Sequence, residues 1–147
     1  MLKGNSANTA KGRAFQIAAK ELLGLHLGVS FEMDHPIAIG NPPKPHKFDL
    51  VSSDSRYIGE CKNYSWTETA NVPSAKMGFI NEAIFYLSFV SPGTVRFVVM
   101  RRDTHPERNE TLADYYHRTY RHLLNDVVLF EIDLEHRQVR EIGQSSI

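Results

Sequence analysis

Residues 46–64, HKFDLVSSDSRYIGECKNY, constrain the fold more than any other stretch of this chain. Two short runs rich in Phe, Val, Leu, Ile and Tyr, residues 47–52 and 57–63, flank the turn signal Ser53, Asp54, Ser55, the pattern of a β-hairpin. A turn centred between Asp54 and Ser55 sets Asp49 directly across from Glu60 on the partner strand. Opposed residues of an antiparallel pair bring their Cβ atoms to about 4.5–5.5 Å, where like charges repel. Two carboxylates held side by side need a cation. Strand side chains alternate with period two, so Lys62 joins Glu60 on that face while Cys61 turns the other way, into the core.

Carboxylate oxygens are hard ligands that suit Mg²⁺ or Mn²⁺, ions that keep several waters and share their remaining positions with substrate phosphates. An aspartate, ten intervening residues, then Glu60, Cys61 and Lys62 resembles the active-site motif of the PD-(D/E)XK nuclease superfamily, the restriction endonuclease-like fold. The resemblance implies phosphodiester hydrolysis, with Asp49, Glu60 and the backbone carbonyl of Cys61 holding Mg²⁺ or Mn²⁺ and Lys62 positioning the attacking water. Two positions depart from the family pattern. Phe48 stands where a proline usually precedes the aspartate, and the glutamate that the first helix often carries corresponds to Gln16 after Gly12, with Glu21 a turn and a half further on. Gln16 is then an auxiliary ligand at best, or an exposed helix residue.

A chain of 147 residues with 41% apolar and 23% charged content is expected to form one domain, residues 1–147, with a real core. Lys plus Arg equals Asp plus Glu at 17 each, so no overall positive field draws the chain toward nucleic acid and local patches must serve. The one cysteine excludes an internal disulfide. Turned inward, Cys61 reads as a small apolar core residue rather than a nucleophile, although His46 is near in sequence. There is neither a charged-then-apolar leader nor an 18-residue apolar run, which predicts a cytoplasmic protein with no membrane partner.

Along the chain, residues 1–9 are small and polar and read as loose, with Asn8 or Thr9 capping a helix over 10–23 that Gly24 stops. A strand with an irregular middle around Asp34, His35 and Pro36 spans 29–39, and three prolines stiffen the loop 40–45. Lys44, His46 and Lys47 end that loop as candidate phosphate contacts, or as solvated loop residues. Beyond the hairpin, Tyr64 and Trp66 either stack on a base or fill the core. A helix over 72–90, apolar around much of its girth, is expected to be largely buried, with Lys76 near its start as a further phosphate contact. TVRFVVM at 94–100 has the continuous β-branched run of a central strand covered on both faces. An amphipathic helix over 111–124 follows, its outer strip of His117, Arg118, Arg121 and His122 forming a basic patch with Arg101, Arg102 and Arg108. Two strands, 126–134 and 138–142, form the far edge of the sheet.

The expected class is therefore α/β: a restriction endonuclease-like core with a mixed β-sheet flanked by helices, in the order αβββαβ followed by αββ. Given that fold, the expected function is a Mg-dependent nuclease acting on DNA, or on RNA, with Asp49, Glu60, Lys62 and Gln16 at the site and Lys47, Tyr64 and Lys76 on the nucleic acid. The alternatives are a dimeric, Holliday-junction-resolvase-like endonuclease, which makes a homodimer an expected partner, and a nuclease-fold binding module without turnover.

Overall fold

The structure is a computed structural model that describes the backbone of residues 2–143 and the side chains of residues 9–143. Helix α1 (Leu2–Leu27) is followed by strands β1 (Phe31–Ile39), β2 (Lys44–Ser52) and β3 (Tyr57–Lys62), helix α2 (Ser74–Leu87) and strand β4 (Val95–Arg101). Helix α3 (Leu112–Tyr120), a 3-10 turn (Arg121–Leu123) and strands β5 (Val128–Asp133) and β6 (Gln138–Glu141) complete the chain. All six strands join one mixed sheet in sequence order, β1 to β6. β3, β4 and β5 run parallel; the β1–β2, β2–β3 and β5–β6 pairs are antiparallel. β5 and β6 lie at the far side of the sheet, as their position in the sequence predicts.

Helices cover both faces. Phe15, Ala19, Leu22 and Leu23 of α1 pack on Phe31, Leu50, Phe97, Val99 and Phe130. On the other face, Met77, Ile80, Ile84 and Leu87 of α2 and Leu112, Ala113 and Tyr116 of α3 pack on Phe48, Val51, Ile58, Val98 and Met100. β4 therefore has no polar face: Phe97 through Met100 are fully buried, successive residues facing opposite helix layers. Gly59 fits because a Cβ there would lie 2.3 Å from the Phe97 ring.

Several expectations need correction. α1 starts at Leu2 rather than at residue 10, since no proline interrupts residues 2–9; Met1 lies outside the described residues. Gly24 does not stop the helix. The chain turns at Gly28, with φ 69°, and doubles back so that the Val29 N–H donates to the Gly24 carbonyl at 3.0 Å. A Cβ on Gly24 would meet the Val29 carbonyl oxygen at 2.9 Å, so its glycine serves close approach. α2 is not buried all round. With the sheet on one side only, Phe79 and Phe85 remain 46% and 62% exposed, and Phe89, just past the helix end, 49%.

The irregular middle of β1 has a partner in β2. Phe31 and Met33 face α1, whereas Ile37 and Ile39, in step with them by simple alternation, face α2. On β2, Leu50 faces α1 and Phe48 faces α2. The register pairs Met33 with Leu50 and His35 with Phe48, so both strands turn over together where Asp34 lies beside Asp49. Asp34 has φ 54°, a left-handed conformation that aspartate tolerates better than most residues.

Candidate active site

β2 and β3 pair at Leu50 with Gly59 and Val51 with Ile58, the register that the turn at Asp54 and Ser55 predicts. The ladder then ends, while β2 stays on β1 as far as Lys44. A fork opens between the strands, and Asp49 and Glu60 are the first residues inside it. Side chains there replace the missing ladder. The Asp49 carboxylate accepts the Cys61 N–H at 2.8 Å, and the Glu60 carboxylate accepts the Asp49 N–H at a long 3.4 Å. Each acid thus satisfies a backbone donor that the parted strands would otherwise leave unmet.

Glu60 is buried, 7% exposed, and its pKa is pushed up to about 9. Burial is the largest cause, followed by hydrogen bonding and charge repulsion from Asp49, with Lys62 opposing them. At neutral pH Glu60 therefore carries a proton. His46 Nε2 lies 3.0 Å from Glu60 Oε1, and the imidazole stacks on Tyr86 at 4.3 Å and meets the edge of Phe48 at 4.5 Å. Burial lowers the His46 pKa against the pull of Asp49, so the contact with Glu60 is a hydrogen bond between neutral groups rather than an ion pair. His46 was expected among loop residues facing phosphate. The turnover of β2 carries it onto α2 instead.

Lys62, half-buried at the end of β3, makes no hydrogen bond or ion pair among the described residues, so it does not bridge the two acids. Cys61 packs with the α1-facing core, and burial, then Asp49 and Glu60, push its thiol pKa well up; it stays protonated and unreactive. Gln16 is buried, not exposed. Its Nε2 donates to Asp34 Oδ1 at 2.9 Å and to the Asp49 carbonyl at 3.0 Å, while its Oε1 accepts from Arg13 at 3.1 Å. With both ends of the amide engaged by protein, Gln16 positions the Asp49 backbone. The Gln16 bond first, and a bond donated by Arg13 to Asp34 Oδ2 next, hold the Asp34 carboxylate below its usual pKa.

Past the fork, a cleft of about 740 Å³ opens at the C-terminal ends of β3 and β4, between α1 and the start of α2. Cys61, Tyr64 and Lys76 line it, whereas Asp49, Glu60 and Lys62 do not; it begins one peptide from the carboxyl pair. Tyr64 is half-buried, its pKa pushed up to about 12 by burial and then by the nearby acids, and Lys76 Nζ sits 5.3 Å from its ring centre. Lys47 is exposed on β2 and does not join Tyr64 and Lys76. Trp66 is a core residue, tied by its backbone and indole N–H groups to Asp103. The expected basic strip is dispersed: Arg118 is paired with Glu110, Arg102 faces Glu131 at 3.9 Å, Arg108 covers the Trp66 ring, and Arg101 turns into the cleft.

No family model, curated protein or solved structure matches the chain. The fork and the cleft beside it therefore carry the functional reading. Among the described residues, no helix is long and apolar enough to cross a membrane.

Proposed function

We propose that this chain is a metal-dependent nuclease of the PD-(D/E)XK kind, hydrolysing phosphodiester bonds of DNA. The observation that carries the reading is the fork: two carboxyl groups from adjacent strands, each braced on a backbone N–H of the opposite strand, with a lysine two residues past the second that is unpaired among the described residues. The helix-and-strand order, with Asp49 on the second strand and Glu60 and Lys62 on the third, is the order expected of that superfamily.

The donor chemistry fits a hard divalent cation. Burial and Asp49 together make an ionised Glu60 costly, and a divalent ion relieves both causes. Among the described residues no three His, Cys, Asp or Glu side chains converge on a metal, so Asp49 and Glu60 would share Mg²⁺ or Mn²⁺ with the Cys61 carbonyl, water and phosphate oxygens. When bound, the ion supplies Lewis acidity toward a phosphate oxygen and lowers the pKa of a coordinated water. The protein's own contribution is positional. Gln16 and the Cys61 N–H fix Asp49, His46 fixes one oxygen of Glu60, and the Lys62 ammonium orients the attacking water and offsets charge developing on phosphate.

The test is cleavage of supercoiled, linear and branched DNA and of RNA in Mg²⁺ or Mn²⁺, beside the Lys62→Ala variant. Metal-dependent cleavage by the parent, reduced on the order of 10²-fold or more by the substitution, is expected. Absence of cleavage of every substrate would overturn the reading in favour of a binding module without turnover.

A further inference from the structure

The cleft beyond the fork has a composition that the overall charge balance of the chain does not predict. Three cations line it, Lys11 from α1, Lys76 from α2 and Arg101 from the end of β4, and no aspartate or glutamate does. With 17 basic and 17 acidic residues in the chain, such a one-sided lining marks an anion site. Among the described residues none of the three is in an ion pair: Lys76 lies over the Tyr64 and Phe79 rings, and Arg101 donates only to Ser65 Oγ, at 3.0 Å. No side chain caps α2, whose N-terminal Pro73 also lines the cleft, which adds the favourable end of a helix dipole.

An anion site beside a half-buried aromatic ring matches a nucleotide better than a bare phosphate. It also discriminates between strands. In a duplex each base face is covered by its neighbours, so Tyr64 would find no partner; an unpaired base offers its face. The cleft lies at the C-terminal ends of two parallel strands, the usual place for ligands in α/β sheets, and shares Cys61 with the fork.

We propose that the cleft binds an unpaired nucleic-acid strand, its phosphates on Lys11, Lys76 and Arg101 and one base against Tyr64. The substrate is then a single strand, or a duplex with an unpaired end, fed toward the carboxyl pair. The direction of feeding rests on the nuclease reading; the binding does not.

Fluorescence anisotropy on the full chain in EDTA tests this, with a labelled six-nucleotide single-stranded DNA, the RNA of the same sequence and a blunt duplex. Single strands are expected to bind at least about tenfold more tightly than the duplex, with a salt slope near −2 for three phosphate contacts. The DNA and RNA arms say which strand is preferred. Tyr64→Leu is expected to weaken single-strand binding by about fivefold or more with the salt slope kept. Lys11→Gln with Lys76→Gln, both at exposed positions that leave folding intact, is expected to flatten the slope instead. Equal or tighter duplex binding, variants that change nothing, or competition by inorganic phosphate as strong as by the oligonucleotide would overturn the proposal. Cleavage in Mn²⁺ is scored on the same proteins. Strand binding without cleavage sinks the nuclease reading alone, and cleavage without strand binding sinks the cleft alone.

Discussion

Replacing Glu60 with glutamine is expected to stabilise the protein in the absence of metal, and more so as the pH rises. Below an ordinary glutamate pKa near 4.5 the folded and unfolded states both carry the proton, and Glu60 costs nothing. Between 4.5 and about 9 the unfolded chain releases it while the folded chain keeps it, so stability falls by about 1.4 kcal/mol per pH unit. By pH 7 the penalty reaches up to about 3 kcal/mol, and above about 9 it stops growing. Glutamine is neutral throughout and can present its oxygen to the Asp49 N–H and its amide nitrogen to His46, in the places Glu60 now occupies. Thermal melts from pH 5 to 8.5 in EDTA should show Glu60→Gln near the parent at pH 5 and about 6–12 °C above it at pH 7. His46 and the other titrating groups are common to both proteins, so the difference between the two curves isolates Glu60. Mn²⁺ should close most of the gap, raising the parent by about 2.7 kcal/mol at a hundredfold excess over its Kd and leaving the variant unmoved. Parallel pH profiles for the two proteins would refute the claim that a buried, repelled carboxyl sits at the fork.

Gln16→Glu removes the donors to Asp34 and to the Asp49 carbonyl and sets a carboxylate against both, so urea unfolding should show a loss of about 1–3 kcal/mol that Arg13 only partly offsets. Gly59→Ala drives a methyl to 2.3 Å from the Phe97 ring and 2.5 Å from its carbonyl oxygen; a loss of about 3 kcal/mol or more, or insoluble protein, is expected. Arg140→Met strips one hydrogen bond at 3.0 Å and an ion-pair contact at 2.9 Å from Glu131, which is 1% exposed, leaving it only Arg102 at 3.9 Å. That change should cost about 3–5 kcal/mol, and adding Glu131→Leu should recover most of it in a double-mutant cycle.

Hydrophobic periodicity and turn chemistry were enough, without coordinates, to order every helix and strand and to set the hairpin register, because both depend on short-range spacing. Leu50 against Gly59 follows from the Ser53, Asp54, Ser55 turn, and the burial of β4 follows from its unbroken apolar run. Helix ends were less legible. Gly24 looks like a stop in sequence yet serves the close return of Val29, a contact that local pattern does not encode. The chemistry around the acids belongs to tertiary structure. Alternation turns Cys61 into the core as expected, but it fails on β1 and β2, where the strands turn over together at Asp34 and Asp49. That turnover brings His46 from its loop onto Glu60, and the docking of α1 brings Gln16 and Asp34 to the Asp49 backbone. The cleft joins Lys11, Tyr64, Lys76 and Arg101 from four separate parts of the chain. Composition reports equal numbers of positive and negative charges; only the packing of helices over strand ends decides where one sign collects.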